Sequence, residues 1–579
     1  MADLEPVHTP VRPPTAGGEN VSADSVGSNA TGRGPLATEE PFKEEQFSRS
    51  SEGSSLRKGI DILGKQDVDP ALSQKMHLVN NVSTAADRRA KLKKITAEGD
   101  VLLKRARLQA IDDIGWTPYH WKLFVLSGFG YAVDSLILLL QSIIATSAYT
   151  EFGGRGYDKG LTIAVYAGML TGALFWGISA DIIGRRFAFN VSLIMCSVSC
   201  IVAGAMPSWA SLGVFIALIG FSGGGNLVLD TTVFLEYLPG NKQWALTLLA
   251  AWWGFGQAIA GFIAWGFMSP AYLNCSAVDT CTRQNNMGWR YVMFTSGALV
   301  FVMSILRLTV IRLKETPKYL LGQGEDAVLV ETLRHIATKY NRNCSLTLEQ
   351  LEACGVVLSV SNRGPKRSVR AAIAETWSHI NGLFATRDIG LSTLLIWLSW
   401  TLIGLVYPLF YVFLPTYLAT RGADFNVSTY DNWRNYALVN VSGIFGPMLA
   451  AWLCEIRFLG RRYTMVIGAL VTCAFFFAYT AVRTEDENIG FSCAIGFCLN
   501  IYYGTLYAYT PEVLPSGHRA TGNGVAVACN RVMGILSAVI ATVADTSTSV
   551  PIYVCAAMFV GMAVISVFFP FEPLGCRSS

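Results

Sequence analysis

Two charged residues stand inside long apolar runs, Asp134 in FVLSGFGYAVDSLILLLQ and Arg531 in GVAVACNRVMGILSAVIA. A carboxylate in such surroundings is costly unless it is protonated, paired or facing water. Asp134 is therefore a candidate to bind and release a proton, or else one half of a permanent ion pair. Arg531 cannot be discharged at physiological pH and needs a standing partner. That partner is either an acid such as Asp134 or the carboxylate of an organic anion received by the planar guanidinium fork. Asn226, Gln257, Asn440 and Asn500 are further polar groups in apolar runs, able to bond a solute or a neighbouring helix. Helical spacing puts Trp400, Tyr407 and Tyr411 on one face and Asn500, Tyr503 and Tyr507 on another. Such faces could wall a cavity for a flat, partly apolar molecule, or simply pack as aromatic layers. No Cys/His pairing, metal cluster or serine elbow stands out in the loops, so the expectation is a non-enzyme without a metal or cofactor, driven by a proton or other ion gradient.

The elements that must hold these residues are membrane-spanning helices. Of 579 residues, 52% are apolar and only 15% charged, with a mean hydropathy of +0.39. A bilayer is the expected solvent. Twelve segments reach the roughly 20 apolar residues a spanning helix needs: 121–147, 160–180, 187–206, 211–235, 244–268, 289–311, 391–418, 435–453, 463–482, 489–509, 521–544 and 550–570. The expected organisation is a polar tail over 1–115, six spans within 116–311, a connection over 312–390, six spans within 391–570 and a short tail over 571–579. The opening of the chain has no early apolar core, so the first span is expected to direct insertion. Residues 1–75 have a disordered composition, and DRRAKLKKITAEGDVLLKRARLQAI reads as a basic helix, either lying on an anionic membrane surface or simply solvated.

Cations mark one side. Arg185, Arg186, Lys242, Arg457, Arg461, Arg462 and Arg519 fall together with the N-terminal basic run and with Lys366, Arg367 and Arg370. By the positive-inside rule both tails are cytoplasmic, with the plasma membrane as the expected location. The sequence pI of about 8.3 comes from these orienting clusters, so nucleic acid is not an expected partner; the expected ones are lipid and a small solute, with the chain a monomer. On the opposite side Cys275 and Cys281 share a short polar loop, where they either close a disulfide or remain free thiols. Asn274 and Asn426 are candidate glycan acceptors there.

Two motifs recur at one shift: GRR at Gly184 and Gly460, and E-x-L-P at Glu236 and Glu512 (460 − 184 and 512 − 236 are both 276). Both copies fall at predicted cytoplasmic helix ends, which an internal duplication explains.

GISADIIGRR, from Gly177 through Asp181 and Gly184 to Arg185 and Arg186, matches the G-x-x-x-D-x-x-G-R-R signature of the major facilitator superfamily. PEVLPSGHRATG resembles the P-E-x-x-P-x-x-x-R-x-x-G signature of its sugar-porter-like members, and KETPKYLL their box after helix six. GWTPYHWKLFVLSGFGYAVDSL and GGGNLVLDTTVFLEYLPGNKQW resemble the branch of organic-ion transporters and synaptic-vesicle-glycoprotein relatives, fungal ones in particular. The resemblance implies an all-α membrane protein of twelve spans, arranged as two pseudo-symmetric six-helix bundles. It also implies an intracellular ion-pair gate made by Asp181, Arg185, Glu236, Glu315, Arg461, Glu512 and Arg519, with Arg186 and Arg462 completing the GRR turns. The second copy departs from the pattern: Arg457 stands where the acid would fall and Glu455 lies two residues earlier, while Gln243 occupies the position equivalent to Arg519. Helix seven lacks the Gln-rich sugar box. The function expected is alternating-access transport of a small organic solute, with proton-coupled uptake of an organic ion or carboxylate as the leading form. Efflux of toxins or secondary metabolites, sugar transport and nutrient sensing are the alternatives.

Overall fold

The computed structural model describes residues 110–154, 157–183, 185–275, 278–309, 317, 320, 325–353, 377, 380–412, 414, 418, 427–515, 518–543 and 550–573, with 177–183, 185–189, 226–229, 232, 352–353, 412, 520 and 542–543 described by backbone alone. The helices are α1 (Pro118–Glu151), α2 (Gly160–Ile183), α3 (Arg185–Gly204), α4a (Trp209–Gly223) and α4b (Asn226–Tyr237), α5a (Trp244–Leu249) and α5b (Ala251–Met268), α6 (Gly288–Thr309), α7 (Arg387–Tyr407), α8 (Thr429–Glu455), α9 (Gly460–Tyr479), α10 (Glu485–Val513), α11 (Arg519–Val543) and α12 (Val550–Val567). They coincide one for one with the twelve apolar segments. Among the described residues nine helical stretches are long and apolar enough to cross a bilayer by themselves, and Gly160–Trp176, Asn190–Gly204 and Trp209–Gly223 are shorter apolar helices. Among the described residues of the central connection are the helices Asp326–Lys339 and Leu348–Ala353.

Local chemistry sets where helices begin. Pro118 sits in the first turn of α1, and Thr117 and His120 form a reciprocal cap there. Thr484 and Glu487 do the same for α10. Three spans differ from the uniform helices expected, one of them the fifth, which is interrupted at Ala250 between α5a and α5b. The fourth is broken between Gly223 and Asn226, in the GGGN run. The seventh stops at Tyr407 and continues as a π-helical turn over Pro408–Val412, because Pro408 has no N–H to carry the α-helical ladder on.

The packing scheme repeats. In the first half α1 packs on α5b, α2 on α4a, α3 on α6 and α3 on α4a; in the second α7 packs on α11, α8 on α10, α9 on α12 and α9 on α10. The halves meet through α2 against α11 and α5b against α8. Exchanging the halves turns the first of these contacts into the second, which is the pseudo-twofold relation that duplication requires. At the α5b–α8 seam the backbones nearly touch: a Cβ on Gly254 would come within 2.6 Å of the Ile444 Cα. Glycine is needed there for the approach itself.

Candidate functional site

The centre of the molecule lies where α1, α5b, α7, α10 and α11 converge. Asp134 from α1 and Arg531 from α11 are both fully buried and form an ion pair across the two halves. Its geometry is lopsided. One guanidinium nitrogen, Nη2, donates to both carboxylate oxygens at 3.3 and 3.4 Å, and Arg531 Nε has no partner among the described residues. A fork that can bind a carboxylate bidentately is therefore only half used.

Aromatic rings enclose the pair. Trp253 of α5b lies 4.6 Å from Tyr503 and 4.9 Å from Tyr507 between ring centres, Trp400 lies 4.5 Å from Tyr507, and Tyr407 lies 4.8 Å from Tyr411 and 5.2 Å from Tyr503. Tyr131 of α1 reaches Tyr507 from the first half. Polar groups punctuate this box. Gln257 Nε2 donates to the Tyr407 hydroxyl across the halves while its Oε1 has no partner among the described residues. Asn500 Nδ2 donates to the Tyr411 hydroxyl at 2.7 Å, and Tyr411 in turn donates to the Gly496 carbonyl at 3.2 Å. Trp400 Nε1 donates to Thr510 Oγ1 at 2.8 Å. The arrangement gathers aromatic faces, a guanidinium suited to a carboxylate and the Gln257 amide in one place, the rings packed directly against one another.

The structure thus brings Asp134, Arg531, Gln257, Trp400, Tyr407, Tyr411, Asn500, Tyr503 and Tyr507 into one cluster. It does not bring Asn440 there, whose amide donates back to the Tyr436 carbonyl in its own helix. The Asn226 side chain lies outside the described residues. Four further participants, Trp253, Tyr131, Asp230 and Arg307, emerge from the structure. Trp253 is one turn from Gln257 on the same face, a spacing visible in AWWGFGQ. Tyr131 donates to or accepts from Thr231 at 2.6 Å. A second buried pair joins Asp230 of α4b to Arg307 of α6 at 3.4 Å. The rule that singled out Asp134, an acid within an apolar run, applies equally to Asp230.

A second cluster closes the face at which α1 begins and α12 ends. Arg461, at the start of α9, pairs with Glu512 of α10 through Nε at 2.5 Å and Nη2 at 2.6 Å, and both side chains are buried. The same Nη2 donates at 3.2 Å to the Gln243 carbonyl of the other half, tying the halves together. Arg519 lies close enough to Glu512 to stabilise its charge. Glu572, which sequence reasoning passed over, accepts from the backbone N–H groups of Arg461 and Arg462 at 3.0 Å and so caps α9. The Arg462 side chain donates to the Val567 carbonyl. Glu236 is half-buried at the end of α4b, and Glu455 is exposed at the end of α8. Gly184, Glu315 and Asn426 lie outside the described residues, as do the side chains of Asp181, Arg185 and Arg186 and all but the backbone of Gly177. At the opposite face Cys275 and Cys281 are joined as a disulfide. The Asn274 amide turns inward and donates to the Phe267 and Pro270 carbonyls at 2.9 and 3.0 Å. Among the described residues no group of His, Cys, Asp and Glu could hold a metal ion.

Comparison with known proteins agrees with this architecture. The profile of the Major Facilitator Superfamily matches residues 123–538. The chain is 39% identical over 479 residues to "MFS siderochrome iron transporter 1" of Ceriporiopsis subvermispora, covering 81% of this chain and 90% of that one. It is 38% identical to "Major facilitator-type transporter hxnZ" of Emericella nidulans, over 81% and 86% of the two chains. The "Niacin transporter NiaP" of Acinetobacter baylyi is 25% identical over 75% and 89%. Among solved structures, the proton:xylose symporter XylE superposes with a TM-score of 0.61 at 16% identity, over 80% of this chain and 98% of that one, a likeness of fold. With its duplicated six-helix packing, its GRR turns and this match over most of its length, the chain belongs to the Major Facilitator Superfamily and is a multi-pass membrane transporter.

Proposed function

We propose that this transporter takes up a small organic anion, an aromatic carboxylate in the leading form, together with a proton. The observation that carries the reading is the half-used Arg531 fork beside Asp134 inside an aromatic box. A solute carboxylate arriving at Arg531 displaces Asp134 from its counter-charge. An unpaired buried carboxylate is costly, so Asp134 then takes up a proton, and this links the two movements. Return of the Asp134–Arg531 pair after the solute leaves releases the proton on the other side. Because the pair spans the halves, its making and breaking bears directly on their rocking about the centre. A niacin transporter among the relatives supports an aromatic carboxylate as cargo, and the siderochrome transporter makes a ferric chelate the competing cargo to be assayed beside it. The location that accords with the cation distribution is the plasma membrane, with both tails in the cytoplasm and the chain acting as a monomer.

The test is uptake into proteoliposomes holding the full chain, with and without an inward proton gradient, offering nicotinate, benzoate, a ferric siderochrome and xylose. Gradient-stimulated uptake of the carboxylates is expected. Asp134→Asn should lose the stimulation and keep solute exchange at equal pH; undiminished gradient-driven uptake in that variant rejects the coupling role.

A further inference from the structure

Asp230 and Arg307 form a second buried ion pair, contained within the first half. A pair serving only to fasten α4b to α6 would be expected to use its atoms fully, since a buried charge left short of partners is expensive. Here the shortfall lies on the acid: Asp230 meets Arg307 through Oδ1 at 3.4 Å, and its Oδ2 has no hydrogen-bond partner among the described residues although the side chain is 1% exposed. That oxygen is pressed onto α1: a Cβ on Gly130 would lie 1.7 Å from it. Gly130 is one helical turn before Asp134 on the same face of α1. The two carboxylates therefore sit one turn apart along α1, Asp230 being nearer the face where α1 begins, the face marked as cytoplasmic by its cations. They are close enough for their charges to repel. The Tyr131 hydroxyl feels both and bonds Thr231, the neighbour of Asp230. Asp230 also lies on the half of the fourth span that follows the Gly224–Gly225 interruption.

We propose that Asp230 is the inner proton station of this transporter, receiving through its free Oδ2 the proton that Asp134 gives up and passing it to the cytoplasmic solution, with Arg307 as its counter-charge. The inference rests on Asp134 as the coupling acid. In the transfer the Asp134 O–H bond breaks as Arg531 returns to that carboxylate, and an O–H bond forms at Asp230 Oδ2, which weakens the hold of Arg307. Loss of that proton to the solution restores the Asp230–Arg307 pair. Among the described side chains, the charged or ionisable groups facing Asp230 are Arg307 of α6, Asp134 and Tyr131 of α1, Arg531 of α11 beyond Asp134, and Cys196 of α3 on the Asp134 side; α5a has none, and α2, which also packs on α4b, carries Asp181 outside the described side chains.

Two measurements on the full-length protein in lipid test this. The first needs no solute: infrared difference spectra across a pH titration, read in the carbonyl-stretch region of protonated carboxyl groups. Asp134→Asn and Asp230→Asn are each expected to remove a separate band. If Asp134→Asn removes a band and Asp230→Asn removes none, the inner station is overturned while the coupling acid stands; if neither removes a band, the coupling reading falls first. The second uses nicotinate in proteoliposomes, comparing Asp230→Asn with the double variant Asp230→Asn/Arg307→Gln. A relay predicts that the double variant, relieved of its unpaired charge, folds and exchanges nicotinate yet still lacks stimulation by a proton gradient, and that Asp230→Glu regains part of it. Full gradient stimulation in the double variant would reduce the pair to a structural clasp.

Discussion

The two halves share one packing scheme and hold different chemistry at its centre. At the 276-residue shift that aligns Glu236 with Glu512, Asp230 of the first half corresponds to Leu506 of the second and Thr231 to Tyr507. The first half supplies the two buried carboxylates of the centre, Asp134 and Asp230; the second supplies Arg531 and most of the aromatic wall. Duplication preserved what the backbone needs, close helix seams and charged turns at one face, because a change there disturbs packing in both bundles. The central side chains were free to diverge, since a cavity asks only for complementarity to its cargo. The acids thus lie on one side of the centre and the cation with most of the rings on the other, joined by the Asp134–Arg531 ion pair among other contacts between the halves.

Removing that ion pair should have the largest effect. Arg531→Ala leaves Asp134 buried without its partner and is expected to cost about 3–5 kcal/mol and to abolish uptake. Thermal unfolding of the purified protein measures the first and vesicle uptake the second; a variant as stable as wild type would mean that water already reaches Asp134. Next comes the Arg461–Glu512 pair with its bond to the Gln243 carbonyl. Arg461→Lys keeps the charge but loses the fork that holds Glu512 and the Gln243 carbonyl together, at a cost of about 1–3 kcal/mol. Greater labelling of a cysteine placed at Leu506 from the cytoplasmic side would show the gate loosened, and unchanged labelling would assign closure to other contacts. In the first half, Gly130→Ala forces the Asp230 carboxylate away from α1, with a destabilisation of about 1–3 kcal/mol and reduced proton-driven uptake. Retention of wild-type coupling would separate Asp230 from the α1 face. The smallest effect is expected at Gly213 of α4a, where a Cβ meets nothing within 4 Å. Gly213→Ala should stabilise by roughly 0.5–1 kcal/mol through helix propensity and leave uptake unchanged, so it serves as the control for glycine substitutions in these helices.

The amino-acid sequence by itself determined the solvent, the number of spans, the six-and-six division and the duplication. Those follow from apolar length, from the placement of cations and from motifs at a fixed shift, all of which are one-dimensional properties. It also marked Asp134 and Arg531, because a charge in an apolar run is conspicuous whatever surrounds it. It left open whether Arg531 pairs with Asp134 or waits for a solute, and here the fold decides: the residues are nearly four hundred positions apart, and only the meeting of α1 with α11 sets them 3.3 Å from each other. Tertiary structure alone showed that Asn440 turns back on its own helix, that Trp253 and Tyr131 complete the aromatic box, and that Glu572 caps α9 from the far end of the chain. The physical reason is common to all three. Periodicity tells which side of a helix a residue occupies, but not which other helix that side will meet.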